Sequence, residues 1–505
     1  MRGALTAIAL ITVTAWGCAP VAAPAAPTPP PAAAAAAASP ADPVRQLHQD
    51  ITAAINGAGV QRGTWGIVVH SLARDERLFE LNPRALLVPA SSAKIVSVAS
   101  AAEAVGWDYR FETSLRATGP IVDGTVRGDL LVVGSGDPSL GGRGGDDIQP
   151  LVDALLGLGI RRIDGRIIGD DEALEEPRPQ LAWTWDDLGY PTGAIYGALN
   201  FAENRMVVTI TPAATAGEPA MTSVDPAAAF RPLINRTVTG APGTPQLLWP
   251  EQRPGETALT IAGSIPAGAV PARLSVSVGN PTLWVAGTLR HRLLRAGIEV
   301  TGDAFDIDDV KPAIDRFTAA LLHTQRSRPL SEIARPALKD SINLYAEAAL
   351  RLNVLPGSFR TNDAALAGLG ARLLSWGIPP ESQQLVDGSG LSRRDTIAPE
   401  ALLRVLQRMY STDPASPFVA ALPIAGVDGS LANRMRNTAA QGNVRAKTGT
   451  MSNIRSMSGY VTTGDGEPLA FVIMVNNFEG TGAQAVQAID AVAVKLAEFT
   501  RQPAP

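Results

Sequence analysis

The sequence has only one cysteine, Cys18, among its 505 residues. An internal disulfide and a thiolate metal cluster are therefore both excluded. The histidines are few as well: His48, His70, His291 and His323. They show neither metal-ligand spacing nor an adjacent acid, and we interpret each as a packing or surface residue. We predict no metal and no cofactor.

A strong charge of either sign is also missing. The 48 acidic and 43 basic side chains give a net charge of −5 at pH 7, far from the basic balance typical of nucleic-acid-binding proteins. The chain has no G-x-S-x-G nucleophile elbow, and the glycine-rich segment 134–145 lacks the G-K-[ST] ending of a phosphate-binding loop. We therefore predict no nucleic-acid partner, and the common hydrolase and nucleotide-binding signatures are absent.

The N-terminal apolar run, "ALTAIALITVTAW", is too short for a membrane span of about 20 residues but suits the core of a signal peptide. It ends at Gly17 and Cys18, where a lipoprotein signal places the residue that receives lipid. We predict a lipoprotein-type signal peptide over 1–18, export to the periplasm or cell envelope, and membrane attachment only through a lipid on Cys18. The alternative is cleavage just downstream, which would release a soluble protein.

Composition divides the rest of the chain. Residues 19–43 are almost entirely alanine and proline, which cannot bury a core and favour extended conformations, so we predict a tether. Helical patterns and apolar strand-like segments occupy 44–107 and 300–505, whereas 108–299 contains short β-like segments separated by glycine and proline. We predict an α/β or α+β domain built from the two outer segments, with a β-rich insertion between them.

Three short motifs follow one another along the chain. They are Ser91-Ser92-Ala93-Lys94, Ser341-Ile342-Asn343 and Lys447-Thr448-Gly449-Thr450. Taken alone, Ser91 and Ser341 are typical helix N-caps, and the third motif is compatible with a tight turn before a strand. Taken together, they match the S-x-x-K, S-x-N and K-T-G set of serine penicillin-binding proteins and β-lactamases.

Ser91 and Lys94 have the spacing of a nucleophile and its base. Residues i and i+3 share a helix face, so the lysine can reach the serine oxygen. A lysine acts as a base only when its pKa is lowered, which a desolvated cleft and the second ammonium of Lys447 would both do. The backbone N–H groups of Ser91 and Thr450 would hold the developing oxyanion.

The second and third motifs are predicted to handle the substrate. Ser341 would relay a proton to the leaving amine, and the Asn343 amide would hold a peptide group of the substrate. Lys447 and the hydroxyls of Thr448 and Thr450 would bind a carboxylate. We therefore expect a substrate that ends in a free carboxylate.

Beyond these motifs, the sequence resembles the type-4, class C penicillin-binding proteins, the D-alanyl-D-alanine carboxypeptidase and DD-endopeptidase family, from about Trp65 to Ala497. The similar segments are "GDLLVVGSGDPSLGG" (128–142), "ALNFAENRMVVTITP" (198–212), "SINLYAEAAL" (341–350), "VDGSGLSRRD" (386–395), "LPIAGVDGSLANRM" (422–435) and "AKTGTMSNIRSMSGY" (446–460). About 250 residues separate Ser91 from Ser341, where family members carry extra domains. The resemblance implies a transpeptidase-like, serine β-lactamase-like domain with a large β-rich insertion between the first two motifs.

The resemblance also implies further substrate-binding residues. Ser389 and Arg393 would lie at the rim of the cleft, near the substrate side chain. Asp186 or Asp187 resembles an insertion-domain acid proposed to meet the free amine of a diaminopimelate-type stem peptide. The alternatives are a glycine-serine turn and a solvated acidic loop. One departure is Ile342, where the family commonly has aspartate, and this leaves the level of activity open.

These inferences predict a serine-type D-Ala-D-Ala carboxypeptidase, DD-endopeptidase or both. It would act on peptidoglycan stem peptides through an acyl-enzyme at Ser91, and β-lactam antibiotics would inhibit it. One alternative is a β-lactamase or esterase that shares the nucleophile, against which the large insertion argues. Another is a non-catalytic peptidoglycan-binding scaffold, for which Ile342 is the one favourable feature.

Overall fold

The structure is a computed structural model that describes residues 42–501, except 58, 144–147, 181, 226–231, 254, 257, 355–358 and 414. Cys18, the predicted signal peptide and nearly all of the predicted tether lie outside the described residues. Among the helices in the part that is described, none is long and apolar enough to cross a membrane.

Within these residues the α-helices are α1 (Pro43–Ile55), α2 (Ala93–Val105), α3 (Gln149–Gly157), α4 (Pro281–Arg295), α5 (Leu330–Leu338), α6 (Asn343–Arg351), α7 (Asn362–Ser375), α8 (Pro399–Thr412), α9 (Pro417–Ala420) and α10 (Gly482–Glu498). The strands are β1 (Thr64–Ser71), β2 (Glu76–Leu81), β3 (Glu112–Ala117), β4 (Ile121–Val122), β5 (Thr125–Val126), β6 (Leu130–Gly134), β7 (Arg162–Ile163), β8 (Ile167–Asp170), β9 (Arg205–Thr211), β10 (Met221–Asp225), β11 (Leu233–Gly240), β12 (Leu247–Glu251), β13 (Leu259–Pro266), β14 (Ala272–Ser277), β15 (Glu299–Val300), β16 (Ala304–Asp306), β17 (Ala320–Arg326), β18 (Gln383–Gln384), β19 (Thr396–Ile397), β20 (Arg445–Met451), β21 (Ile454–Thr462) and β22 (Pro468–Asn476).

One five-stranded antiparallel sheet joins the two ends of the body, in the order β2-β1-β22-β21-β20. Strands β1 and β2 form a hairpin, and β1 pairs along its whole length with β22, some 400 residues later. Segments from both ends of the body thus form one sheet, in agreement with a domain built from the two outer segments. The third motif lies on β20, at the edge of this sheet.

Helices cover both faces of this sheet. On β22, Val472 and Met474 pack with α2, α5, α6, α7 and α8, whereas Phe471 and Ile473 pack with α1 and α10. Successive side chains of a strand point to opposite faces, so one strand supplies two cores. This explains why "LAFVIMVN" is a continuous apolar run rather than an alternating one.

Helix α2 lies inside the helical core on the first face. Every residue from Ala93 to Ala102 is buried, which a helix that is small and apolar on all sides allows. The helix ends at Gly106, whose φ of 82° and N–H bond to the Ala102 carbonyl complete the C-terminus. The predicted end near Val105 is confirmed.

The segment between α2 and α5 is rich in strands, as its composition indicates. Its sheets have the orders β16-β8-β6-β3-β17, β15-β7-β5-β4, β10-β9-β14 and β11-β13-β12. The strands continue past the predicted end of the insertion at 299. Strand β17 pairs with β3 and extends the sheet β16-β8-β6-β3-β17 to Arg326. The sequence around β17 gives no local sign of this pairing, since its partner lies about 200 residues earlier.

Two glycines of α7 differ in their surroundings. A Cβ at Gly368 would overlap the Asn353 carbonyl oxygen, which lies just after α6, whereas a Cβ at Gly370 would meet no atom within 4 Å. Gly368 therefore permits the close approach of α7 to the end of α6. Gly370 has no such role.

We predict opposite effects on stability for the two alanine substitutions. Gly370→Ala should raise the free energy of unfolding by about 0.5–1 kcal/mol, because alanine lowers the entropy cost of the helix. Gly368→Ala should lower it by about 1–3 kcal/mol, because the added methyl group forces α7 away from α6. Urea unfolding followed by circular dichroism measures both, and equal effects would contradict this packing argument.

Candidate active site

Ser91 and Lys94 meet at the start of α2. Ser91 belongs to a short 3₁₀ turn, Ala90–Ser92, and Lys94 is in the first turn of the helix. The Lys94 Nζ lies 2.9 Å from the Ser91 Oγ. The interpretation of Ser91 as an N-cap is wrong: Ser92 holds that position without a side-chain cap, and the Ser91 hydroxyl faces Lys94 instead.

Lys94 is fully buried beneath the partly exposed Ser91. Its Nζ lies 2.7 Å from the Asn343 Oδ1 and 2.7 Å from the Ser389 carbonyl oxygen. A neutral amine can donate its two hydrogens to these acceptors, which directs its lone pair to the Ser91 hydroxyl. This arrangement suits proton removal from serine.

Burial lowers the pKa of Lys94 to about 8, although Asp387, Glu347 and Asp395 oppose the shift. From the sequence we expected the charge of Lys447 to contribute to this lowering of the Lys94 pKa. In the structure the influence runs in the other direction, because burial and then the charge of Lys94 lower the pKa of Lys447 well below its usual range. The surroundings therefore lower the pKa of both amines.

The second and third motifs meet at Lys447. Its Nζ donates to the Ser341 Oγ at 2.9 Å and to the Thr448 carbonyl at 2.7 Å. The Thr448 hydroxyl lies 2.7 Å from the hydroxyl of Ser430, a residue that the motif search did not identify. Lys447 is fully buried while Ser341 is partly exposed, so the hydroxyl lies between the amine and the solvent.

The S-x-N motif is a strained turn rather than a helix cap. Ser341 has a φ of 62°, and Ile342 is the N-cap of α6, so the interpretation of Ser341 as a cap is wrong. Ile342 packs against the helical core and its N–H donates to the Pro336 carbonyl. The apolar residue at the aspartate position thus has a packing role.

Asn343 is held at both ends of its amide group. Its Oδ1 accepts from Lys94, and its Nδ2 donates to the Thr192 carbonyl at 2.8 Å. Thr192 belongs to the segment between the two parts of the predicted catalytic domain. Asn343 is buried, so the alternative of a solvated first-turn residue is wrong.

The edge strand β20 packs directly on the serine turn. A Cβ at Gly449 would lie 2.5 Å from the Pro89 carbonyl oxygen, so only glycine fits there. The Ser456 hydroxyl, on the neighbouring strand, bonds to Ser92 Oγ at 2.8 Å and to the same Pro89 carbonyl at 2.7 Å. Thr450 is exposed beyond this contact.

Of the two residues assigned to the rim, Arg393 is exposed and its guanidinium donates to the Ser452 carbonyl at 3.1 Å. Ser389, in contrast, is fully buried and contributes its backbone carbonyl to Lys94. The placement of Ser389 at the rim is therefore wrong. A Cβ at Gly390 would overlap the Ala90 carbonyl oxygen and a Cβ at Gly388 would crowd α6, so the two glycines let the turn lie between the serine turn and α6.

Asp186 and Asp187 lie in a 3₁₀ turn, Trp185–Asp187, of a segment that also contacts the site. Asp186 is exposed, and Asp187 accepts a hydrogen bond from the Thr184 hydroxyl at 2.6 Å. Burial raises the pKa of Asp187. Just before the turn, the Trp183 indole donates to Asp387 at 2.8 Å, which ties the segment to the loop beneath Lys94.

Three buried carboxyl groups near Lys94 were not identified from the sequence: Glu347, Asp387 and Asp395. The sequence does carry a signal for one of them. Glu347 interrupts the apolar helix "NLYAEAAL" four residues after Asn343, which places it on the same helix face.

The chain is similar to known proteins over most of its length. Residues 47–498 match the D-Ala-D-Ala carboxypeptidase 3 (S13) family. The chain is 35% identical over 473 residues to the D-alanyl-D-alanine carboxypeptidase of Actinomadura sp. (strain R39), covering 91% of this chain and 86% of that protein. It is 26% identical over 420 residues to the D-alanyl-D-alanine carboxypeptidase DacB of Haemophilus influenzae, covering 82% and 85%.

Solved structures show the same fold. The crystal structure of penicillin binding protein 4 from Haemophilus influenzae superposes with a TM-score of 0.77 at 24% identity, covering 90% of this chain and 99% of that one. A structure of the same protein complexed with a β-lactam gives a TM-score of 0.72 at 23% identity. The predicted penicillin-binding, transpeptidase-like fold is thus confirmed, and the family match over nearly the whole described body makes this chain a member of the D-Ala-D-Ala carboxypeptidase 3 (S13) family.

Proposed function

We propose that the chain is a serine-type D-Ala-D-Ala carboxypeptidase that acts on peptidoglycan stem peptides. The observation that carries this proposal is the buried Lys94 amine, bonded at once to Ser91, Asn343 and the Ser389 carbonyl. Its family and its relatives named as D-alanyl-D-alanine carboxypeptidases support the same reaction.

Acylation begins when Lys94 takes the hydroxyl proton of Ser91 and the serine oxygen attacks the carbonyl between two D-alanine residues. The backbone N–H groups of Ser91 and Thr450 are the proposed oxyanion donors. The C–N bond then breaks as the proton taken up by Lys94 passes through Ser341 to the amine of the terminal D-alanine, which leaves. The product is an ester of Ser91.

Deacylation returns the enzyme to its starting state. Water adds to the ester carbonyl while Lys94 accepts its proton, and the C–O bond to Ser91 breaks. Ser91 recovers its proton, and the shortened stem peptide leaves with a new carboxylate. A β-lactam would acylate the same serine, a proposal supported by the β-lactam complex of the Haemophilus influenzae relative.

The substrate carboxylate is proposed to bind Lys447, Thr448 and Thr450. Because burial keeps the pKa of Lys447 low, the incoming anion supplies the charge that lets this amine take up a proton. Strand β20 is at the edge of its sheet, so an extended peptide can pair with its free side. Arg393 and Asp186 or Asp187 are proposed to contact the stem-peptide side chain.

We also propose that the enzyme works in the cell envelope, held by a lipid on Cys18 through the Ala/Pro-rich tether. The parts at 44–107 and 300–505 would form the catalytic domain, with 108–299 as the core of the insertion. DD-endopeptidase action on cross-linked peptides is compatible with the same chemistry, because both reactions break the bond after a D-alanine.

We predict that Ser91→Ala abolishes covalent labelling by a fluorescent penicillin and lowers D-alanine release by at least about 10³-fold, because the nucleophile is lost. Ser92→Ala is the matched control, since its hydroxyl faces Ser456, and it should retain labelling. Denaturing gel electrophoresis measures the label, and circular dichroism checks the fold of both variants. Equal labelling of wild type and Ser91→Ala would refute the assignment.

We predict a fall in kcat/KM for D-alanine release as the pH drops below about 8, the pKa to which burial lowers the Lys94 amine. Protonated Lys94 cannot take the serine proton, so the rate should fall about tenfold per pH unit below that value. Hydrolysis of a peptide ending in D-Ala-D-Ala measures this profile, with circular dichroism as the control for folding. A flat profile down to pH 6 would contradict a lysine base.

We predict that purified pentapeptide muropeptides lose one D-alanine when digested with the enzyme, as mass spectrometry would show. Digestion of cross-linked muropeptides in parallel tests for endopeptidase action. Ser91→Ala is the control for contaminating hydrolases. Unchanged muropeptides, together with fast turnover of a chromogenic cephalosporin, would instead favour a β-lactamase.

A further inference from the structure

A cluster of three buried carboxyl groups, Glu347, Asp387 and Asp395, lies behind Lys94. All three side chains are fully or almost fully buried, and the proposed acyl transfer uses none of them. Glu347 comes from α6, and the two aspartates come from the loop between β18 and β19. A buried carboxyl group is costly unless its bonds are satisfied, so the contacts of each indicate its charge state.

Glu347 and Asp387 hold the turn whose carbonyl contacts Lys94. Glu347 Oε1 accepts from the N–H groups of Gly388 at 3.1 Å and Ser389 at 2.9 Å. Asp387 accepts from Gly390 N at 2.6 Å and also from Ser389 N at 3.1 Å. These bonds fix the plane of the peptide that presents the Ser389 oxygen to the amine.

The bonding differs between the two aspartates. Asp387 also accepts from Ser392 N and from the Trp183 indole, both at 2.8 Å, so both of its oxygens are satisfied. Asp395 Oδ2 has no hydrogen-bond partner among the described residues, and burial beside Asp387 raises the pKa of Asp395 well above its usual value. Asp395 is therefore the carboxyl group whose ionised form the site stabilises least.

Glu347 is the member whose charge is most sensitive to pH. Burial, and then Asp387, raise its pKa to about 7. Glu347 is thus ionised where Lys94 titrates. The charge of Lys94 lowers the pKa of Lys447, and Arg351, whose guanidinium is bonded to Asn362 and Glu175, opposes the rise in the pKa of Glu347.

We propose that Glu347 is a positioning residue for the general base: its carboxylate holds the turn that presents the Ser389 carbonyl to the Lys94 amine, and together with Asp387 it places negative charge behind that amine. This inference rests on the proposed acyl transfer at Ser91. It assigns Glu347 no contact with the substrate.

The direction of the effect follows from the sign of the charge. A nearby carboxylate stabilises the protonated form of Lys94 and so keeps its pKa higher than burial alone would. Removal of that charge should move the acid limb of the pH profile to lower pH. A residue with a purely structural role would lower the plateau of the profile and leave the limb in place.

Glu347→Gln tests this, because glutamine keeps the size of the side chain and one acceptor for the turn. We expect the acid limb of kcat/KM for D-alanine release to move to lower pH by about one unit. Glu103→Gln is the matched control: it makes the same change at a carboxylate of α2 that bonds to Trp376 and Arg408 and does not act on Lys94, so the limb should stay in place. Glu347→Asp keeps the charge, so its acid limb should stay at the wild-type pH while the maximal kcat/KM falls.

The outcomes separate this inference from the proposed function. If the wild type releases no D-alanine and takes up no labelled penicillin, the proposed function fails. If the wild type is active but Glu347→Gln keeps the wild-type limb, or Glu103→Gln moves the limb by as much, the role of Glu347 alone is overturned. Should Glu347→Gln not fold by circular dichroism, Glu347→Asp still tests the role, because a limb that moves to lower pH although the charge is retained overturns it.

Discussion

The burial of an amine beneath a serine hydroxyl is the constraint on which the rest of this structure depends. An isolated ammonium in a protein interior is costly, so Lys94 is stable there only with acceptors on every hydrogen and a lowered pKa. Those acceptors come from α6 and from the loop before β19, which fixes where both must lie. Helix α2, made mostly of small apolar residues, carries Lys94 into the core together with the smaller polar residues Ser97 and Ser100.

Much of this could be predicted from local sequence. The three motifs, the Ala-rich helix that ends at Val105 and the β-rich character of the insertion all follow from residue type and spacing. The motifs come together as predicted because each occupies the start of a helix or an edge strand. Their short contacts, such as Lys447 with Ser341 at 2.9 Å, involve the residues that the pattern named.

The features that could not be predicted depend on contacts between segments that are far apart in the sequence. Strand β17 joins β3 across about 200 residues, so its place in the sheet has no local signal. Ser389 was placed at the rim by resemblance to the family, yet its side chain is buried and its backbone carbonyl contacts Lys94. The acidic residues behind the site were missed for a related reason: a buried carboxylate looks like a surface residue until the donors that satisfy it are known.

The contact of Gly449 and Ser456 with the Pro89 turn determines when the active site forms during folding. The serine turn and β20 lie about 360 residues apart in the chain, and native contacts between such distant segments form late in folding. A chain that is still unfolded thus carries every reactive side chain but no assembled nucleophile. Ser91 becomes reactive only when β20 has packed against the serine turn. Covalent labelling by penicillin therefore reports only the completely folded molecules.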